Sequence, residues 1–287
     1  MLSLHTNNAA LSAQNSISRT QSSLSTSMTR LSTGYRINSA MDDAAGLQIA
    51  SRLKAQTSGM TVAMRNTLNS TSMLKTAEGA LDEVSNMLVR MKDLATQAAD
   101  ASSTEDDQDA MQLEYDALGL ELANVLKNTT FGGAKLLVGG TVAEEMTFQI
   151  GASEDETMEI NLSAAMSTLN TNVSAVSVQY STTGTTTGTE LTATGGANGK
   201  IGDLEDALEA VNTVRSSLGA AANRLEHVYN NLANISTNTK AATGQIMDVD
   251  FASESANMTS NQMLLQASTA MLKQSNSMSS MVMSLLQ

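Results

Sequence analysis

Between Leu204 and Ile235 apolar residues return every seventh position, in two interleaved series. Leu204, Val211, Leu218, Leu225 and Leu232 form one series, and Ala207, Val214, Ala221, Val228 and Ile235 form the other. Such a 4-3 alternation, held over some 32 residues, is the seam of a helix packed lengthwise against other helices. The rest of the composition suits long helices. Proline, the strongest helix breaker, is absent, and the 18 glycines gather in a few places. Aromatic residues make up only 2% of the chain, so its apolar material is Ala, Leu and an unusual 19 Met.

A second seam lies in the first half. Ile49, Leu53, Met60, Leu74, Ala77, Leu81, Val84, Leu88, Met91, Ala95 and Ala98 share one heptad frame. An unbroken helix from Asp42 to Ala99 would span on the order of 85–90 Å at ~1.5 Å per residue, with Gly59 and Gly79 as points where it bends. The connector before it, residues 34–43, offers Ser39 as an N-cap and Asp42 and Asp43 for the first turn. Ser102 to Asp107 reads as another helix start, followed by Met111, Tyr115, Leu118, Leu122 and Val125 at helical spacing.

From residue 131 to 162 the period changes to two. Leu136 and Val138, Phe148 and Ile150, then Met158, Ile160 and Leu162 alternate between turn signals, which predicts a small hairpin or three-stranded meander. Residues 163–180 carry no clear period. The Thr/Gly-rich stretch from Ser181 to Lys200 reads as an exposed, mobile loop.

The two ends share an unusual character. Residues 1–41 contain no Asp, Glu or Lys, and after Glu254 the only charge is Lys273. Leu4, Leu11, Ile17, Leu24, Met28 and Leu31 fall at roughly helical intervals, and Gly34 is placed to cap that helix. Leu264, Leu265, Met271, Leu272, Met278, Val282, Leu285 and Leu286 form a matching stripe on a helix from about Asn257 to Gln287. Two such helices paired alone still expose apolar surface, and stacking many copies buries it. The sparse charge fits that end, since ions are costly to bury unpaired.

Other functions find little support. The net charge of −13 is concentrated at −17 in residues 42–254, the opposite of the clustered Lys and Arg that nucleic acid requires. There is no Cys, and the two histidines, His5 and His227, lie in no metal-ligand pattern. The acid run at Glu105–Asp109 lacks the alternating spacing of a Ca²⁺ loop and reads as helix capping. We expect no catalytic residues, no cofactor and no metal. No segment has the apolar length of a membrane span, and no cleavable signal is visible at the N-terminus. On these facts the chain is expected to be cytosolic or to leave by a route that reads no cleaved signal.

Two groups of motifs are specific. Leu31-Ser-Thr-Gly-Tyr-Arg-Ile-Asn-Ser-Ala-Met-Asp-Asp-Ala-Ala-Gly, Thr76-Ala-Glu-Gly-Ala-Leu-Asp-Glu-Val and Met91-Lys-Asp-Leu-Ala-Thr-Gln-Ala mark the first half. Ile246-Met-Asp-Val-Asp-Phe-Ala, Leu264-Leu-Gln-Ala and Leu285-Leu-Gln287 mark the C-terminus. Together they resemble bacterial flagellin, and the N-terminal LSLHTNNAAL is most similar to the lateral, swarming type. The resemblance implies a mainly α fold: an elongated, antiparallel coiled-coil rod from the two halves, with a small β-hairpin element. It implies an inner-core helical domain from residues 1–41 and 250–287. An outer-core domain would come from 42–170 and 201–249, with its hairpin at about 131–162. Residues 171–200 would be a short exposed insertion in place of the large outer domains of many relatives.

The same resemblance implies self-assembly into an extracellular flagellar filament and export by the flagellar type III apparatus. It also implies an export chaperone, a cap and hook-junction proteins as neighbours. A host Toll-like receptor would contact Arg90, Leu94 and Glu114, the positions matching the family motif. The nearest alternative is a hook–filament junction protein, which shares the terminal helices. From another class, a secreted membrane-active translocator also uses amphipathic helices, though their polar faces here lack the Lys and Arg that a membrane surface favours.

Overall fold

The computed structural model describes residues 7–182 and 187–285, with side chains described as far as Met278 apart from that of Thr182. Helices dominate: α1 (Asn8–Thr33), α2 (Ala44–Ala98), α3 (Glu105–Asn128), α4 (Ser163–Val176), α5 (Val178–Thr182), α6 (Gly196–Met247) and α7 (Phe251–Leu285). Four short strands, β1 (Thr130–Phe131), β2 (Ala134–Lys135), β3 (Glu145–Gln149) and β4 (Thr157–Asn161), lie between α3 and α4. Contacts divide the chain into two units, Met1–Thr57 with Thr237–Gln287, and Ser58–Ser236. The sequence had suggested divisions near 41/42 and 249/250.

In the Ser58–Ser236 unit, α2 and α6 run antiparallel. Asp82 pairs with Arg215 at 2.8 Å, and ten residues further along α2 Lys92 pairs with Glu205 at 2.8 Å, ten residues back along α6. The two predicted seams meet between these ion pairs. Leu81, Val84 and Leu88 of α2 and Leu204, Val211, Leu218 and Leu225 of α6 are completely buried. Helix α3 adds Tyr115 and Leu122 to the same core. It starts on a capping box, Thr104 and Asp107 each bonding the other's backbone N–H, as the Ser/Thr/Asp run predicted.

Several expectations need correction. Asp43, not Ser39, caps α2, accepting from the Gly46 N–H at 2.8 Å. Asp42 instead ties the connector, accepting from the Asn38 and Ser39 N–H groups and the Ser39 hydroxyl. Of the two expected β arrangements the hairpin holds and the meander does not: there are two separate antiparallel hairpins, β1 with β2 and β3 with β4. Phe148 faces Met158 in the second hairpin, but Leu136 and Val138 lie in a turn rather than a strand, Leu136 buried and Val138 half-buried. Their alternation came from a turn wrapped against the core.

Apart from 183–186, which lie outside the described residues, the stretch 171–200 is not the exposed insertion expected. Val173, Val176, Tyr180, Glu190 and Leu191 are buried, and Gly196–Lys200 is already helix α6. Polar composition misled because the stretch brings its own partners. Gln112 of α3 donates from Nε2 to both Asp116 (2.8 Å) and Glu190 (2.9 Å) and accepts from the Leu191 N–H (2.7 Å). Gly188 donates its N–H to Asp116 at 2.9 Å, and a Cβ there would run into the Asp116 and Glu190 carboxylates. This latch holds the loop on α3. Burial, then the charges of Glu190, Asp203 and Asp116, push the Tyr115 phenol far above its ordinary range. It stays neutral and donates to the Val176 carbonyl at 2.8 Å.

Candidate assembly interface

In the other unit α1 and α7 pack against each other. The helix that ends at Gly34 does so because Gly34 takes φ 76°, a left-handed conformation that glycine adopts without strain, and donates its N–H to Arg30. At its start Asn7 accepts from the Ala10 N–H at 3.1 Å. The spacing from Leu11 to Leu31 and the glycine cap had both pointed to this helix. Helix α7 begins earlier than expected, at Phe251, because Asp250 caps it. Asp250 accepts from the Ala252 N–H (3.0 Å) and the Ser253 hydroxyl (2.7 Å), and these bonds hold its carboxyl below the ordinary range.

The pair is antiparallel, as contacts at its two ends show. The Asn7 side chain donates to the Ser275 carbonyl and hydroxyl at 3.3 and 3.1 Å, while Arg30 faces Glu254 across 3.8 Å. That second separation is too long for a hydrogen bond, so Glu254, buried, is held by charge. Sequence reasoning missed this pair, and the one acid in an almost uncharged helix was the signal for it. It also missed a short backbone clamp. Tyr35 bridges Asp248, Arg36 donates from its N–H to the Met247 carbonyl (2.6 Å) and from Nη2 to the Ile246 carbonyl (2.8 Å), and the Val249 N–H donates to Gly34 (3.0 Å).

Pairing covers only one side of each helix. Ile17, Leu24 and Leu31 on α1, with Leu265 and Leu272 on α7, are partly covered. Leu11 (47%), Met28 (51%), Leu264 (52%), Met271 (67%) and Met278 (57%) remain exposed, as do Phe251 and Met263. The apolar stripe on each helix is wider than one neighbour can hide. Leu4, Leu286 and the side chains of Val282 and Leu285 lie outside the described residues.

The second predicted site comes together only in part. Arg90 and Glu114 form an exposed ion pair, Nε–Oε1 at 2.8 Å and Nη2–Oε1 at 2.7 Å. Leu94 is 2% exposed and belongs to the core of α2, so it is no surface contact. Leu94 lies outside the heptad frame, next to the seam position Ala95, and is buried with it in the same core. Among the described residues no group of three or more His, Cys, Asp and Glu is placed to hold a metal ion, and no helix is long and apolar enough to cross a membrane.

Comparison with known proteins agrees with the helical ends. Residues 4–141 match the family model of the bacterial flagellin N-terminal helical region, and residues 201–286 match that of the C-terminal helical region. A flagellin of Halalkalibacterium halodurans is 38% identical over 261 residues, covering 91% of this chain and 90% of the relative. This chain belongs to the bacterial flagellins. Flagellin B of Vibrio anguillarum is 32% identical over 375 aligned residues and covers 99% of both chains. That alignment is longer than the present chain, so the Vibrio flagellin carries residues that this one lacks. A solved structure of a Vibrio parahaemolyticus protein, described as flagellar hook-associated, matches with a TM-score of 0.55 at 15% identity. It covers 72% of this chain and all of that one, a likeness of fold alone.

As a flagellin, the chain is a structural subunit of the extracellular flagellar filament and polymerises with copies of itself. It is no enzyme. The hook-junction and membrane-active readings are not favoured.

Proposed function

We propose that subunits join through the outer faces of α1 and α7, the surfaces carrying Leu11, Met28, Leu264, Met271 and Met278. The exposure of these residues after α1 and α7 have paired supports the reading. Fully burying a Leu, Met or Phe side chain stabilises by about 1.5–3 kcal/mol, so covering the exposed half contributes on the order of 1 kcal/mol each. Seven such side chains, Phe251 and Met263 included, supply on the order of 5–10 kcal/mol. The freedom lost on immobilising a subunit costs roughly 4–15 kcal/mol, so growth is finely balanced. Leu4, Val282, Leu285 and Leu286 extend the stripes in sequence. Residues 1–41 and 250–287 then form the inner part of the filament and 42–249 the outer part.

Seeded polymerisation tests this. With Leu264→Asp the free subunit keeps its helix content, but a buried carboxylate raises the concentration needed for growth by roughly a hundredfold. Unchanged growth on wild-type seeds would overturn the reading.

Finer partners follow from the family resemblance. Export proceeds through the flagellar type III apparatus with a chaperone, the filament meets cap and hook-junction proteins at its ends, and the N-terminal residues are retained. Mass spectrometry of subunits taken from filaments checks the last point. Arg90 and Glu114, exposed together, suit contact with a host Toll-like receptor. A reporter-cell assay with Arg90→Ala and Glu114→Ala would show reduced signalling if they do.

A further inference from the structure

The exposed and the buried methionines fall in different units, with half-buried ones in both. Among the described residues, the exposed ones are Met28, Met41, Met263, Met271 and Met278, all in the Met1–Thr57/Thr237–Gln287 unit. The buried ones, among them Met60, Met87, Met91, Met111, Met158 and Met166, are all in the Ser58–Ser236 unit. Met271 and Met278 are one heptad apart, in register with exposed Leu264 on the same face of α7, and Met28 is exposed on α1. Met41 is 96% exposed on the connector turn.

We propose that Met28, Met263, Met271 and Met278 are oxidation sites that decide whether a free subunit can be incorporated. The proposal rests on the outer-face reading above. A two-electron oxygen donor such as hydrogen peroxide or hypochlorous acid is the co-reactant. With peroxide, the thioether sulfur attacks one peroxide oxygen, the S–O bond forms as the O–O bond breaks, and sulfoxide and water leave. The sulfur loses two electrons and the peroxide gains them. A flexible apolar side chain becomes a polar one with a strong acceptor oxygen.

That change acts where it matters most. The face to be buried sets Met271 and Met278 in line with apolar Leu264, so a sulfoxide there puts a polar, bulkier group where a neighbouring copy would meet apolar surface. Each sulfoxide buried without a partner weakens addition by roughly tenfold. The balance between burial and immobilisation leaves little margin to absorb it. Incorporation covers the same sulfurs, so a filament protects them and only the free pool is vulnerable. Repair by a thiol-dependent methionine sulfoxide reductase reverses the block.

The test treats full-length free subunit and intact filament with hydrogen peroxide and maps oxidation by peptide mass spectrometry. In the free subunit Met28, Met263, Met271 and Met278 should oxidise with Met41, well ahead of Met91 and Met166. In the filament the four should be protected. Oxidised subunit should add to untreated seeds at least about a hundredfold more slowly, two sulfoxides at roughly tenfold each, and recover with reductase and dithiothreitol. The variant M28L/M263L/M271L/M278L, compared with its own untreated rate, should lose no further growth on peroxide treatment. Full growth of wild-type subunit with all four sites oxidised overturns the proposal. So does loss of growth in the treated leucine variant, which places the damage elsewhere. Should leucine itself impair growth, recovery of the wild type on reduction decides the point. The outer-face reading fails separately, through unaffected growth of Leu264→Asp.

Discussion

The two units use the same periodicity to different ends. In the Ser58–Ser236 unit, α2 and α6 meet seam to seam, α3 closes a third side, and Leu81, Leu88, Leu218 and Leu225 lose all contact with solvent. In the other unit α1 and α7 also pair antiparallel, yet Leu264 and Met271 stay more than half exposed. The difference is the number of neighbours the chain supplies. A heptad seam with enough partners makes a core within one molecule. The same pattern with one partner too few leaves an edge that another copy can cover. Charge marks the two cases in sequence: the solvated seam helices carry ion pairs such as Asp82–Arg215 and Lys92–Glu205, whereas α7 is almost uncharged after Glu254.

The largest test of the contrast compares leucine truncations across the two units. Leu218→Ala should destabilise the free subunit by about 2–5 kcal/mol in chemical denaturation. Leu264→Ala should change the same measurement by under about 0.5 kcal/mol and act on polymerisation instead. Equal effects at both positions would erase the distinction drawn between the units.

Gln112→Ala probes the loop latch next. Two buried carboxylates lose a shared donor and the Leu191 N–H loses its acceptor, for a cost of about 1–3 kcal/mol. Local hydrogen exchange in 187–195 should rise with it. A purely exposed loop, as the sequence suggested, would show neither effect.

Acid offers a subtler probe. Asp250 is held below the ordinary carboxylate range by the Ser253 hydroxyl and the Ala252 and Ser253 N–H groups, and Asp42 by the Ser39 and Asn38 N–H groups. A carboxyl whose folded pKa is depressed contributes stability above its unfolded value of about 3.9, and that contribution is lost as pH falls through the folded value. The first turn of α7 and the α1–α2 connector should therefore loosen only below about pH 4. Nuclear magnetic resonance of the Ala252 and Ser39 amides would show it. Smallest of all, Arg90→Ala should shift free-subunit stability by at most about 1 kcal/mol, because its ion pair with Glu114 is exposed.

Much of this contrast was legible in the sequence. The seams at 74–98 and 204–232, the start of α3 at Thr104 and the end of α1 at Gly34 all follow from local rules of period and capping. Failures came where tertiary partners override composition. Ser181 to Lys200 looked like solvated loop because Thr and Gly dominate, while Glu190 and Gly188 find their partners on α3, more than seventy residues away. Ile49 and Ile235, both in heptad frames, stay partly exposed because a seam position is buried only where a neighbour is present. Of Arg90, Leu94 and Glu114, grouped by the motif match, only Arg90 and Glu114 meet at the surface, while Leu94 is buried beside the seam. The exposed sides of α1 and α7 were the feature read most directly, from stripes too wide for one neighbour and faces too poor in charge for solvent.

Hydrogen exchange measured on free subunit and on filament puts the central claim to its most direct test. The account predicts strong added protection in Asn8–Thr33 and Phe251–Leu285 on polymerisation, with the α2, α3 and α6 segments around Leu81, Tyr115 and Leu218 already protected and little changed. If α1 and α7 exchange alike in both states, while protection appears elsewhere, the helices that the chain leaves half covered are not the surfaces that copies of it bury.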